Sequence, residues 1–317
     1  MGGKEVRLTH LERLYYPQAG ITKAEVLDYY LRVAPYLLPH LRGRPLTLER
    51  WPEGIEDGSF FQKNASSYFP SWLRTHAVER KDHQKIVHFP LVEDEADLLY
   101  LVNQGTLTFH AQMARVDDPE HPDIMVLDVD PPESEAGPGG GGGAPRGATG
   151  GADTATGGAA GAPAPLSTPF RRAAAVALLL RDLLREAGYN PVVKTSGKRG
   201  VHLAFPLSGE LDYTEARAQL EALFENLVAR HSTLLTTHIR KNKREGRVYL
   251  DALRMSPGAT IVPPYVARPT DEATVSMPVT WEELETLADG RGFTVKTTLA
   301  RLEITGDLWA DLVKEAS

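Results

Sequence analysis

Cysteine is absent from the 317 residues, which excludes disulfides, zinc–thiolate sites and thiol nucleophiles. Long apolar runs are absent too. None reaches the roughly 18 residues that a bilayer-spanning helix needs, and the opening MGGKEVRLTH lacks the apolar stretch of a secretory signal. The expectation is a cytoplasmic protein with no membrane contact. Positive charge is in short supply, with 35 Lys and Arg against 42 Asp and Glu and a net charge of −7. That balance weighs against nonspecific coating of nucleic acid, which needs positive potential. The excess is local, in HIRKNKREGR from His238 to Arg247, where five Lys or Arg face one Glu. Such a run is most often a solvated face. Residues 133–165 contain no aromatic and no Leu, Ile, Val or Met. They cannot offset their ordering entropy by burial and read as a flexible surface insertion.

With 42% hydrophobic residues the rest of the chain can bury a substantial core. Its centre is IMVLDVDPP, Ile124 to Pro132, an apolar run stopped by two carboxylates and two prolines. In a strand, Asp128 and Asp130 project from one face about 7 Å apart. Side by side they repel each other and are costly to desolvate unless a cation joins them. Hard oxygen ligands suit Mg²⁺ or Mn²⁺, ions that also hold phosphates. Asp-Pro equally opens turns, and the pattern alone leaves both readings standing.

Before this strand, Thr22 and Glu25 form a capping box ahead of a helix over about 23–38 that buries Val26, Tyr29, Val33 and Leu37. Lys23, in its first turn, is either a surface lysine or a partner for an anion held by the free helix amides. Residues 45–51 alternate as a strand, and Phe60, Phe61 and Lys63 follow. One of the two phenylalanines is expected in the core, and the other beside Lys63 as a stacking surface for a base. ADLLYLVNQ reads as a helix, and TLTFHAQMAR as a strand carrying His110.

After the insertion, Thr168 and Pro169 open a helix that stops at Gly188. NPVVKTSGKRGVHLAFPL then gives strand, tight loop, strand. Its loop, Ser196, Gly197, Lys198, Arg199 and Gly200, reads as an anion nest suited to a triphosphate, with His202 entering the second strand. A helix over about 213–231 leads to the basic run and to RVYLDALR, where Asp251 closes a strand as Asp128 and Asp130 do. TIVPPYVARP reads as a strand bearing Arg268, and a capping box at Thr280 and Glu283 precedes the amphipathic GDLWADLVKE.

Asp-x-Asp with proline, KTSGxxGxH, a basic run ahead of VYLD and a PYxxR stretch, in this order, resemble the polymerase domain of bacterial ligase D. That family belongs to the archaeo-eukaryotic primase superfamily, and the likeness runs from LTHLERLYYP to GDLW. The resemblance implies an α/β fold in which two β-sheets flanked by helices form a catalytic cleft around an RRM-like core. It implies one primase-polymerase domain over 1–317, interrupted by the insertion, with no ligase or nuclease module. The activity implied is a nucleotidyltransferase that adds nucleotides, ribonucleotides preferentially, to DNA ends and gaps in non-homologous end joining.

By the same likeness Asp128, Asp130 and Asp251 hold two Mn²⁺ or Mg²⁺ ions. Ser196, Arg199 and His202, with Arg244 and Arg268, hold the triphosphate. Phe60 and Phe61 stack near the nascent pair, Lys63 meets DNA, and His110 approaches the sugar. His10, Arg13 and Lys23 grip a downstream 5′-phosphate. The implied partners are 5′-phosphorylated DNA, nucleoside triphosphates, a DNA ligase and the Ku end-binding protein, in a prokaryotic, nucleoid-associated setting. Alternatives of other kinds are a DNA-end binding and synapsis module with residual catalysis, and a primase that starts strands de novo. The chain departs from the family in four places. Arg199 stands where Lys is usual, His10 where Asn is common, Glu49 where a basic residue is frequent, and Arg254-Met255 where Gln-Asn is usual. Histidine at position 10 would make phosphate recognition pH-sensitive.

Overall fold

A computed structural model describes residues 3–80, 85–131, 168–207 and 209–315. The expected insertion at 133–165 lies outside the described residues. The chain opens with a short hairpin, β1 (Leu14–Tyr16) and β2 (Ile21–Thr22), then α1 (Lys23–Leu41), β3 (Leu46–Arg50) and β4 (Phe60–Gln62). A second hairpin, β5 (Thr75–Arg80) and β6 (Lys85–Pro90), precedes α2 (Glu95–Asn103), β7 (Thr106–Gln112) and β8 (Ile124–Asp130). The second half holds α3 (Pro169–Glu186), β9 (Val192–Thr195), β10 (Val201–Pro206), α4 (Tyr213–Arg230), β11 (Leu235–Thr236) and β12 (Val248–Asp251). It ends with β13 (Thr260–Ile261), β14 (Pro278–Val279), α5 (Trp281–Thr286), α6 (Thr298–Thr305) and α7 (Ala310–Glu315).

Local chemistry sets the helix starts. The Thr22 hydroxyl accepts from the Glu25 amide at 3.3 Å, while the Glu25 carboxylate accepts from the Thr22 amide at 2.7 Å, closing the expected capping box. Thr168 caps α3 through the Arg171 amide at 3.2 Å, with Pro169 at the first helical position. The Thr280–Glu283 box likewise starts α5. α1 runs past its expected end to Leu41 although it contains Pro35 and Pro39. Each proline removes a helical hydrogen bond, but Leu37, Leu38 and Leu41 are buried, and their packing carries the helix on.

Two sheets carry the architecture. The larger has the order β11-β12-β8-β10-β9-β14, with β8 antiparallel to both β10 and β12. The smaller has the order β13-β7-β3-β4. Both contribute to one hydrophobic cluster, in which Leu46, Leu48 and Phe109 of the smaller sheet join Leu127, Val129 and Leu203 of the larger. α3 packs on the larger sheet and buries Ala173, Ala174, Ala177 and Leu180, the three alanines being small enough to let its axis approach the strands. Among the described residues no helix is long and apolar enough to cross a membrane.

All five residues of β3 are buried, Thr47, Glu49 and Arg50 included. Two expectations are corrected. Phe60 and Phe61 are 47% and 62% exposed, so neither is core, because β4 is an edge strand. TIVPPYVARP is a strand only at Thr260–Ile261. Pro263 and Pro264 have no amide to offer a ladder, and Tyr265 takes φ +64°.

Candidate active site

Strand register builds the centre of the site. In antiparallel pairs, residues directly opposite one another project to the same face. Asp251 of β12 lies opposite Asp128 of β8, Asp128 opposite His202 of β10, and His202 opposite Lys194 of β9. The result is a single row, Asp251, Asp128, His202, Lys194, across four strands. Asp130 follows Asp128 on the same face of β8 and lines, with Asp128 and His202, a cavity of about 310 Å³. The smaller sheet supplies the far side of this cavity through His110 and Ile261, and Arg268 closes it.

The row is tied together by polar contacts. His202 Nε2 lies 3.4 Å from Asp128 Oδ1, and Lys194 Nζ lies 2.7 Å from His202 Nδ1 and 2.5 Å from Ser276 Oγ. The His202 ring thus turns Nδ1 to Lys194 and Nε2 to Asp128. Asp251 Oδ1 accepts from the Tyr249 hydroxyl at 3.1 Å and the Leu253 amide at 2.9 Å. Arg254 Nε lies 2.9 Å from Asp128 Oδ2 and 3.4 Å from Asp251 Oδ2.

Burial pushes the Asp128 carboxyl up to about 7, the Asp130 charge adds to that, and Arg254 opposes it. Asp130 is raised by burial against the pull of Arg244 and Arg254. Burial holds the His202 imidazole well below its usual range, helped by Lys194, and holds Lys194 well below its own, helped by Arg268. Carboxylates strained in this way suit a divalent cation. Among the described residues no three His, Asp or Glu side chains already stand as a ligand group. The donor chemistry nevertheless fits, since Asp128, Asp130 and Asp251 present hard oxygens from adjacent strands.

The Ser196–Gly200 loop differs from the expected nest of free amides. The amides of Lys198 and Gly200 donate to Ser196 Oγ at 3.2 and 3.0 Å, so they hold the loop's shape. Anion contact therefore falls to side chains, and Lys198, Arg199, Arg244 and Arg268 all line the cavity. Arg268 is 8% exposed, and its Nε has no hydrogen-bond partner among the described residues. Gly197 takes φ +69°, and a Cβ there would lie 2.7 Å from Arg268 Cγ and 2.8 Å from the Val275 carbonyl carbon. Gly197→Ala is therefore expected to lower the melting temperature by several degrees and to displace Arg268. A non-glycine residue at positive φ loses ~1–2 kcal/mol, at roughly 2–4 °C per kcal/mol. Thermal denaturation and nucleotide affinity check this.

The remaining candidates form two other groups. On the edge of the smaller sheet, Phe60, Phe61 and Lys63 share a shallow surface with Arg50 and Tyr68. The Arg50 guanidinium stands 5.2 Å from the Phe60 ring centre, and the Phe61 ring packs edge-on against His110 at 5.5 Å. His110 Nε2 also lies 3.3 Å from Glu49 Oε2. Burial lowers the His110 pKa. Burial raises that of Glu49, but the His110 contact and the nearby Arg268 outweigh it and leave the carboxyl low.

His10, Arg13 and Lys23 form the third group, and none of them lines the carboxylate cavity. The Lys23 amide donates to the Arg13 carbonyl at 2.7 Å, and the Arg13 amide to the His10 carbonyl at 3.1 Å. Arg13 Nη1 reaches Glu53 at 2.8 Å. His10 takes φ +54°, a left-handed position that Asn and His tolerate better than most residues. Lys23 is 3% exposed. Burial, aided by Arg13, pushes its ammonium down to about 8.

Sequence reasoning missed Lys194 and Tyr249 as members of the site. The signal for Lys194 was a charged residue inside the apolar strand VVKT. For Tyr249 it was its place two residues before Asp251 in the strand VYLD, which puts both side chains on one face.

Comparison with known proteins agrees with the fold. The family model described as LigD, primase-polymerase domain, matches residues 22–137 and 163–309. The multifunctional non-homologous end joining protein LigD of Mycolicibacterium smegmatis is 29% identical over 99% of this chain and 37% of its own length. The bifunctional LigD of Bacillus subtilis is 29% identical over 95% of the chain and 43% of its own. The chain thus spans less than half of these curated relatives. Among solved structures, the polymerase domain of Mycobacterium tuberculosis ligase D in complex with DNA matches with a TM-score of 0.82 and 26% identity over 99% of both chains. With the family model covering both sheets and the carboxylate strands, the chain belongs to the LigD primase-polymerase domain family.

Proposed function

We propose that the chain is a template-directed nucleotidyltransferase that adds nucleotides, ribonucleotides preferentially, to DNA ends and gaps during non-homologous end joining. The observation that carries this reading is one cavity lined both by carboxylates, Asp128 and Asp130, and by cations, Lys198, Arg199, Arg244 and Arg268. A metal-bound nucleoside triphosphate has the complementary charge for both sets at once. Two Mn²⁺ or Mg²⁺ ions held by Asp128, Asp130 and Asp251 would supply charge neutralisation at the α-phosphate and acidify the attacking 3′-hydroxyl. The chain's own residues position the reactants. Arg268, Arg199 and Arg244 hold the triphosphate, and the Ser196 loop fixes where it lies. His202, oriented by Lys194, presents Nε2 beside the metal carboxylates. His110, braced by Glu49, stands on the sugar side, and Phe60 and Phe61 offer faces for the base pair. DNA with a 5′-phosphate, a DNA ligase and Ku are the proposed partners.

The test is extension of a labelled primer across a gapped duplex bearing a 5′-phosphate, with ribo- and deoxynucleotides and with Mn²⁺ or Mg²⁺. Metal-dependent extension, faster with ribonucleotides, supports the proposal. Tight binding that depends on the 5′-phosphate but gives no extension would favour an end-binding module.

His10, Arg13 and Lys23 are the proposed 5′-phosphate grip. Lys23→Met should weaken binding to a 5′-phosphorylated gap by about tenfold or more, the ~1.5 kcal/mol or more of a hydrogen bond to a charged group. Binding to a 5′-hydroxyl gap should be unchanged. Lys23 carries its proton below about 8, so the wild-type preference for the 5′-phosphate should decline as pH rises through that value. Fluorescence anisotropy across pH 6.5–9.5 checks both, and a preference that is flat in wild type would remove Lys23 from the grip.

A further inference from the structure

Arg254 lines the cavity, and the polymerase reading gives it no task. It closes the short 3₁₀ turn Ala252–Arg254 directly after Asp251. Its Nε faces Asp128 Oδ2 at 2.9 Å and Asp251 Oδ2 at 3.4 Å. The other oxygens of these two aspartates have partners elsewhere. Asp251 Oδ1 takes hydrogen bonds from Tyr249 and Leu253, and Asp128 Oδ1 faces His202. The oxygens that Asp128 and Asp251 have left to hold a cation between them are the two that Arg254 already faces. The arginine is not fixed in place. Its side chain is 38% exposed against 5% for that of Asp128, and its remaining hydrogen bond, Nη1 to the Thr260 carbonyl, is long at 3.4 Å.

We infer that Arg254 is a tethered counter-ion that competes with a divalent cation for the seam between Asp128 and Asp251 and is drawn away when a triphosphate enters, so that metal and nucleotide bind cooperatively. The inference rests on the proposed metal role of these two aspartates. In the absence of nucleotide, an incoming cation must break a partly buried ion pair and send the guanidinium to water, which weakens metal binding. With a triphosphate in the cavity, the same guanidinium exchanges one anion for another. The flexible arginine stem and the position of Arg254 in the cavity lined by Arg199, Arg244 and Arg268 make that exchange geometrically open. Reciprocity requires that the metal then tighten nucleotide binding by the same factor.

The experiment is calorimetric titration of Mn²⁺ into chelator-stripped wild type, Arg254→Gln, Arg254→Lys and Asp128→Asn, with and without a non-hydrolysable nucleoside triphosphate. Corrections are made for the nucleotide's own Mn²⁺ affinity. Without nucleotide, Arg254→Gln should bind Mn²⁺ at least about tenfold more tightly than wild type, and Arg254→Lys should stay near wild type because it keeps the charge. Nucleotide should tighten Mn²⁺ binding in wild type by a clearly larger factor than in Arg254→Gln. Equal or weaker Mn²⁺ affinity in Arg254→Gln, or an equal nucleotide effect, overturns the role of Arg254 and leaves the metal reading intact. Wild-type Mn²⁺ affinity in Asp128→Asn overturns the metal reading itself. Arg254→Met repeats the measurement should the glutamine variant unfold.

Discussion

Asp128→Ala should lower primer extension by roughly 10³-fold or more while leaving affinity for 5′-phosphorylated DNA within about twofold. Charge stabilisation by a bound metal contributes several kcal/mol, and each ~1.4 kcal/mol is tenfold in rate. Asp128 is central to the row, with Asp251 on one side and His202 on the other. The 5′-phosphate group of residues does not line its cavity, which is why DNA binding should survive. Extension within tenfold of wild type would remove Asp128 from the metal site.

A linked result concerns stability without metal. The Asp128 carboxyl sits at about 7 in the folded chain, raised by burial and by Asp130, and at roughly 4 when unfolded. Between these values the folded state binds more protons than the unfolded state, so stability falls as pH rises. The contribution is fully present below about 4 and is lost as pH climbs through 7. With a chelator present, the melting temperature should drop from pH 5 to pH 8. Asp128→Asn should flatten that slope, and Mn²⁺ should restore stability to wild type but not to the asparagine variant.

Arg268→Ala is expected to have the second-largest effect, a loss of about 10²–10³ in kcat/KM for the nucleotide, the size of removing one preorganised donor from a dry site. The side chain is held under the Ser196 loop, with Gly197 packed against its stem, so its charge is placed before any ligand arrives. Arg268→Lys should recover little, since an ammonium cannot reproduce the planar fork. Truncation also removes the cation that helps hold the Glu49 carboxyl low, and Glu49 should then titrate higher. Steady-state kinetics of both variants decide the matter, and a loss below fivefold would take Arg268 out of the triphosphate wall.

The legible parts of the sequence were the local ones. Capping boxes, Pro169 behind Thr168 and the apolar run into Asp128 depend on residues within a few positions of one another, and each is formed as read. Asp128, Asp130, Ser196 and Arg268, which the likeness in motif order grouped together, line one cavity. What misled was treating local pattern as a guide to burial. Two adjacent phenylalanines suggested core, yet an edge strand left both exposed.

By itself the sequence determined which chemistry is available: three carboxylates closing strands, a cluster of cations, no thiol and no membrane-spanning run. Only the tertiary structure decided how these groups meet. Register between strands more than a hundred residues apart sets Asp251 against Asp128, and it places Arg254 between them. That register follows from burying Met125, Leu127 and Val129 of β8 with Val201, Leu203 and Phe205 of β10 on one face while Asp128, Asp130 and His202 line the cavity on the other, so that a slip of one residue would exchange the two faces.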